Sequence, residues 1–71
     1  MNEEKILAII ADTLELDSVE VAMVLDERVW DSLGIVVFIG AINNEFDKIL
    51  DPSKLADAKT VQQLMQLVID S

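Results

Sequence analysis

The longest apolar run in the chain, Leu33 to Ile42, is ten residues without a charge. It falls well short of the ~18 to 20 residues that a bilayer crossing needs, so no membrane span is expected. The run must instead be covered by the rest of the chain or by another molecule. With 71 residues the chain makes one small domain, residues 1–71, too short for two cores or for a pocket between lobes. Cysteine and histidine are both absent. Disulfides and Cys/His zinc sites, the usual staples of domains this small, are thereby excluded, and stability has to come from packing. Apolar residues make up 52% of the chain and charged ones 27%, enough for a core and unlike a disordered segment.

Helical periodicity organises most of this material. Ile6, Ile9, Ile10 and Thr13 share one face at ~100° per residue, with Leu7 and Leu14 beside it. Asn2 is placed to cap that helix, and Glu3 and Glu4 fall in its first turn, where carboxylates favour the positive end of the helix dipole. From Leu16 to Val29, residues Val19, Val21, Met23 and Leu25 alternate with Glu20, Ala22 and Val24, a pattern that a short strand would share. With no partner strand in evidence, the segment reads as a long loop that tucks some apolar side chains under the helices.

A second helix starts at Asp31 or Ser32, both N-cap residue types, and runs to about Asp47, with Trp30 placed to staple onto Ile35. Asp51-Pro52 opens a short third helix or turn through Ala56. Thr60, with Gln63 three residues on, fits a capping box ahead of Val61, Leu64, Met65 and Val68 on one face of a last helix. The expected fold is all-α, a small four-helix bundle of three main helices and one short one, with the long loop between helices 1 and 2.

The second helix has two apolar faces. Ile35, Phe38, Ile39, Ile42 and Phe46 form one stripe wide enough to face a core. Leu33, Val37, Gly40 and Asn44, with Val36 between, line roughly the opposite side, where a solvated helix would carry charges. Either the helix lies centrally and is buried all round, or the second face is a docking surface. Gly34, Gly40 and Ala41 let another backbone come close, although each glycine costs ~1 kcal/mol of helix propensity relative to alanine. Asp26, Glu27 and Asp31 precede this face, and Glu45, Asp47 and Asp51 follow it. An apolar centre with an acidic rim suits a transient patch for a basic partner.

Without His or Cys, neither a Ser-His-Asp nor a Cys-His arrangement can be assembled, and Ser32 has no general base of the usual kind. Asp17, Asp26 and Asp47 lack the alternating ligands and central glycine of a calcium loop, and no glycine-rich phosphate loop exists. Intrinsic catalysis and a metal site are therefore not expected. One local sequence remains, Trp30-Asp31-Ser32-Leu33-Gly34, a serine at the start of the two-faced helix. Taken alone, Asp-Ser before an apolar run is an N-cap. A phosphodiester on Ser32 would nevertheless meet unpaired N–H groups and the favourable end of the dipole. Whatever hung from it could lie along Leu33, Val36 and Val37.

Here the sequence resembles an acyl carrier protein. Asp31-Ser32-Leu33 opens a helix, Glu45-Phe46-Asp47 closes it as the family's "EEF" stretch often does, and Thr60-Val61 begins the last helix like the family's "TV" signature. Length, acidity and helix order match over nearly the whole chain. The resemblance implies that Ser32 is the attachment site for 4'-phosphopantetheine, transferred from coenzyme A by a separate magnesium-dependent phosphopantetheinyl transferase. It implies further that Asp31 helps to present the site and that Leu33 and Val36 meet partner enzymes, the ones that load and process acyl groups. Val37, Gly40 and Asn44 extend that partner face, while Ile35, Phe38, Ile39, Ile42 and Phe46 would line the interior that can shelter an acyl chain.

In fatty-acid-synthesis carriers, positions 34, 37, 43 and 44 often carry acids, whereas here they are Gly34, Val37, Asn43 and Asn44, and Val29-Trp30 replaces the usual glycine. A dedicated carrier in fatty acid, polyketide or a related specialised pathway is the leading expectation. Peptidyl and D-alanyl carriers share the same serine chemistry. A non-modified helical adaptor that binds a protein through Leu33, Val36 and Val37, or a homodimer through that face, are the readings from other classes.

The start, Met1-Asn2-Glu3-Glu4-Lys5, is acidic, and no cleavage site follows the Ile6 to Ala11 stretch, so no secretory signal is expected and the cytoplasm is the expected location. Five basic and fourteen acidic residues give a net charge of −9, which repels nucleic acid and anionic lipid and disfavours self-association, so a monomer is expected. The same charge repels itself within the fold. Added salt or magnesium should therefore raise the melting temperature; a thermal melt followed by circular dichroism that is flat or falls with salt would count against this.

Overall fold

The computed structural model describes residues 3–71, so the proposed Asn2 cap lies outside the described residues. Among these residues there are four helices, α1 (Glu3–Thr13), α2 (Ser32–Phe46), α3 (Pro52–Ala56) and α4 (Val61–Asp70). Among the described residues no strand forms, and the sole bridge pairs Val24 with Thr60. This is the small all-α bundle that the periodicity predicts. α1 packs against α2 and α4, and α3 closes the other side against the same two helices. Each helix sends its apolar stripe to one core: Ile6 and Ile10 from α1, Phe38 and Ile42 from α2, Leu55 from α3, and Val61, Leu64 and Val68 from α4 are all but fully buried. Each such side chain contributes roughly 1.5–3 kcal/mol by leaving water, and no polar or charged side chain among the described residues is buried with them.

The helix ends are closed by short-range chemistry. After α1, Glu15 takes a left-handed conformation with φ 60°, its N–H donates to the Asp12 carbonyl, and the Leu16 N–H reaches back to that of Ala11 at 2.8 Å. This is a Schellman ending with a glutamate where glycine is the usual residue. α3 starts as expected from Asp51, whose carboxylate accepts from the Ser53 N–H at 2.9 Å and the Ser53 hydroxyl at 2.7 Å. Those bonds, the hydroxyl's first, hold the Asp51 carboxyl below its ordinary pKa. At the far end of α4, Lys48 Nζ donates to the Val68 carbonyl at 3.3 Å and to the Ser71 main-chain oxygen at 2.6 Å, a cation at the negative end of a helix.

The long loop between α1 and α2 has a definite task. Of the first four N–H groups of α4, which lack partners inside the helix, Val61 donates to the Met23 carbonyl and Gln62 to that of Val21, each at 3.0 Å. The Gln63 N–H goes to Thr60 Oγ1 at 3.2 Å, and the regular helical ladder begins with the Leu64 N–H on the Thr60 carbonyl, also at 3.2 Å. Leu25 N–H returns the pairing to Lys59 O at 2.8 Å. The alternating stretch that looks like a strand thus pairs with the start of a helix, which leaves it a single bridge long. Leu25 is buried and Val19 and Met23 are half-buried, as a tucked loop requires, whereas Val21 and Val24 stay exposed. The Gln63 side chain departs from the capping box: its Oε1 accepts from the Lys59 N–H at 2.6 Å, one residue before the cap.

Trp30 and Ile35 both lie in the core, and Trp30 makes two further contacts. Its indole is buried, its ring stands edge-on to Phe38 at a centroid distance of 5.7 Å, and its Nε1–H donates to the Leu55 carbonyl of α3 at 2.8 Å. Two outcomes follow from these contacts. Glu15→Gly should raise stability by about 0.5–1 kcal/mol, because glycine adopts the left-handed region without the Cβ penalty; the midpoint of urea unfolding at unchanged slope measures it. Trp30→Phe should lose about 2–3 kcal/mol, one buried hydrogen bond plus the cavity left by the smaller ring, read by circular dichroism in the same titration.

Candidate functional site

The approach to α2 is fixed before the helix begins. Asp26 Oδ1 accepts from the Arg28 N–H at 2.9 Å and the Val29 N–H at 3.3 Å, and the Asp26 carbonyl accepts from the Trp30 N–H at 2.8 Å. This turn delivers Trp30 into the core, and the anchored indole sets where the next residues can lie. Asp31 then leaves the turn in an extended conformation and caps α2, its Oδ1 accepting from the Gly34 N–H at 2.9 Å while its carbonyl takes the Ile35 N–H at 3.0 Å. Ser32 is the first residue of the helix and is exposed. The N–H groups of Ser32 and Leu33 have no acceptor within the helix, and the first turn holds no acidic residue. An anion borne on the Ser32 oxygen would meet a favourable field there.

The serines of the chain are not equivalent. The Ser53 hydroxyl donates to Asp51 Oδ1 and that of Ser71 to the Val68 carbonyl, each at 2.7 Å. Among the described residues no hydrogen bond holds the hydroxyl of Ser18 or Ser32. Ser18 lies in the loop outside any helix, exposed. Ser32 alone combines a free hydroxyl with the N-terminus of a helix. These features suit a covalently attached phosphodiester: the hydroxyl is reachable, uncommitted and backed by amide donors.

The two faces of α2 resolve into an inner and an outer one. Ile35, Phe38 and Ile42 are buried, and Ile39 and Phe46 are half-buried against the same core. The alternative in which α2 is covered all round does not hold: Leu33 is 72% exposed, Val36 65% and Val37 50%, and Gly40 and Asn44 are exposed further along. The remaining helices are used up in covering the inner stripe. Neither glycine is demanded by the fold, since a Cβ on Gly34 would make only ordinary contact with Asp31 Oδ1 at 3.5 Å, and one on Gly40 would meet nothing within 4 Å. At Gly40 the helix therefore forgoes about 1 kcal/mol of propensity without an internal packing reason.

The acidic rim expected around this face is mostly committed elsewhere. Asp26 and Asp31 accept backbone N–H groups, Asp51 caps α3, and Glu45 pairs with Lys5 of α1 at 2.7 Å. Of these six acids, Glu27 and Asp47 are the two whose carboxylates have no partner among the described residues. Residue type alone could not reveal this, because a carboxylate aimed at solvent and one aimed at an amide have the same letter in the sequence.

Clefts lie elsewhere on the surface. One of about 180 Å³ runs between Ile49, Leu50, Lys54, Leu55 and Leu67, and two others lie against α4 and against α1; none of these three takes a residue from α2. Nothing in the sequence pattern signalled them, since they arise where loops meet helices. Among the described residues no group of carboxylates is placed to hold a metal ion, and no helix is long and apolar enough to cross a membrane. The start of α2 is thus exposed, lies next to an apolar face and stands apart from these three clefts.

A family model described as "Phosphopantetheine attachment site" matches residues 4–68, which takes in nearly all of α1 and α4 and the whole of α2 and α3. No curated protein and no solved structure matches the chain significantly. The match runs through the turn, the cap and the helix start described above, and covers most of the chain. The chain belongs to the family of phosphopantetheine attachment domains, which bind 4'-phosphopantetheine covalently.

Proposed function

We propose that this chain is a non-catalytic acyl carrier whose 4'-phosphopantetheine is esterified to Ser32 Oγ. The observation that carries the reading is the pairing of an exposed, unengaged hydroxyl with the first turn of α2, next to apolar side chains that face solvent. When bound, the group supplies a terminal thiol that holds acyl groups as thioesters; the chain has no cysteine of its own to compete for them. The residues of the chain do the positioning. Asp31 fixes the start of the helix through Gly34, Trp30 ties that start to α3, and the free amides of Ser32 and Leu33 face the developing phosphodiester. A separate phosphopantetheinyl transferase supplies the catalysis: the bond from Ser32 Oγ to phosphorus forms as the pyrophosphate of coenzyme A is cleaved, with the adenosine nucleotide as leaving group.

In this reading Leu33, Val36, Val37, Gly40 and Asn44 meet the transferase and the enzymes that load and process the acyl group, and the inner stripe from Ile35 to Phe46 faces the acyl chain. The carrier acts as a monomer in the cytoplasm, in fatty acid, polyketide or a related specialised pathway. Intact mass after treatment with coenzyme A and a broad-specificity phosphopantetheinyl transferase tests it. Wild type and Ser18→Ala should each gain one arm and Ser32→Ala none. An arm that persists on Ser32→Ala sinks the assignment.

A further inference from the structure

The inner stripe of α2 is closed off at the end that bears Ser32. The indole of Trp30 packs under the first turn of the helix, its Cε3 lying 3.8 Å from where a Cβ on Gly34 would sit. Gly34 and Phe38 are one turn apart on a single line of the helix, and the same ring meets Phe38 edge-on at 5.7 Å. Its Nε1–H then reaches across to α3 and donates to the Leu55 carbonyl at 2.8 Å. One indole therefore fills the interval between the first two turns of α2 and α3. It is 6% exposed, and Ile35, Phe38, Ile42 and Leu55 are exposed by no more than 9%. The cleft beside α3 is lined by neither Trp30 nor any residue of α2, so it does not extend this interior toward Ser32.

We propose that Trp30 limits the cargo: it occupies the room between α2 and α3 that an acyl chain hung from Ser32 would need, so this carrier suits short or polar acyl groups held at the surface. This rests on Ser32 being the attachment site, and it narrows the part given above to the inner stripe, whose buried members an acyl chain meets only where the indole is removed. Entry of a long alkyl chain would undo the packing against Phe38 and strand the indole N–H and the Leu55 carbonyl without partners in apolar surroundings. Left outside, every methylene of such a chain stays in water. Leu33, Val36 and Val37 stand on a convex helix surface and cannot enclose it. A group of acetyl size has little apolar surface to hide and loses nothing by staying out.

The experiment loads wild type and Trp30→Leu with an acetyl or an octanoyl arm, from acetyl- or octanoyl-coenzyme A and a broad-specificity phosphopantetheinyl transferase. Intact mass, with Ser32→Ala as the control, confirms one arm on Ser32. Thermal melts followed by circular dichroism then compare the two loaded forms of each protein. In wild type the octanoyl form should melt less than about 5 °C above the acetyl form, and Trp30, the only tryptophan of the chain, should keep the emission maximum of the unmodified protein. Trp30→Leu leaves a gap that an alkyl chain can fill, so its octanoyl form should melt about 5 °C or more above its acetyl form. A wild-type octanoyl form that gains about 5 °C or more, or that shifts the indole emission, overturns the limit and leaves the attachment site standing. A folded Trp30→Leu whose two forms melt together overturns it as well; should that variant not fold, the wild-type pair decides alone. Failure of wild type to take an arm at Ser32 overturns the attachment site and the limit with it.

Discussion

The buried indole of Trp30 is the contact on which the arrangement around Ser32 depends. Its ring meets Phe38 of α2 edge-on and its N–H closes onto the Leu55 carbonyl of α3. One side chain thus holds together the helix that presents the serine and the short helix that would otherwise have little to grip, since α3 is five residues long. A helix that short is unstable alone. With its Leu55 carbonyl bound by the indole and its first turn capped by Asp51, it becomes part of the wall behind the core. Trp30 is separated from Ser32 by Asp31 alone, so the geometry of the helix start is set by the anchored indole together with the Asp26 turn that delivers it.

A chain this acidic has an electrostatic problem, and the fold puts several of its carboxylates to use. Asp26, Asp31 and Asp51 each accept hydrogen bonds from main-chain N–H groups that the chain geometry leaves unpaired. Each such bond stabilises the turn or helix start that it closes, which offsets part of the repulsion. The few cations work the same way: Lys48 closes the end of α4, and Lys5 ties α1 to Glu45 at the end of α2. The pair is half exposed and contributes at most ~1 kcal/mol. The outside of α2 exposes Leu33, Val36 and Val37 and carries no charge from Ser32 to Asn44, and that contrast with an otherwise acidic chain sets this face apart.

Much of this was legible from residue letters, wherever the deciding signal was a side chain acting on its near neighbours. Asp51 ahead of proline and Thr60 ahead of Val61 mark the starts of α3 and α4 to the residue, and Asp31-Ser32 ahead of an apolar run marks that of α2 to within one. The exposed serine at the first position of α2 follows from the same signal. What stayed hidden involves main-chain acceptors, which carry no letter: the Leu55 carbonyl under Trp30, and the Val21 and Met23 carbonyls that serve α4. Glu15 in the left-handed region had no glycine or asparagine to announce it. Periodicity also found two apolar faces on α2 without saying which one water would see, because that depends on how much of the other helices is left to cover it.

The clasp between the 21–25 segment and the start of α4 carries a consequence for how the molecule assembles. Two of the donors that α4 must satisfy are met by carbonyls some forty positions earlier in the chain. Its first turn cannot mature as an isolated coil-to-helix event; it waits for a long-range closure whose entropy has to be spent first. Helical chains usually zip up through neighbours, but here the last segment is locked to an early one. Loosening at either end of the polypeptide is thereby felt at the other, so the molecule should open as a single cooperative unit.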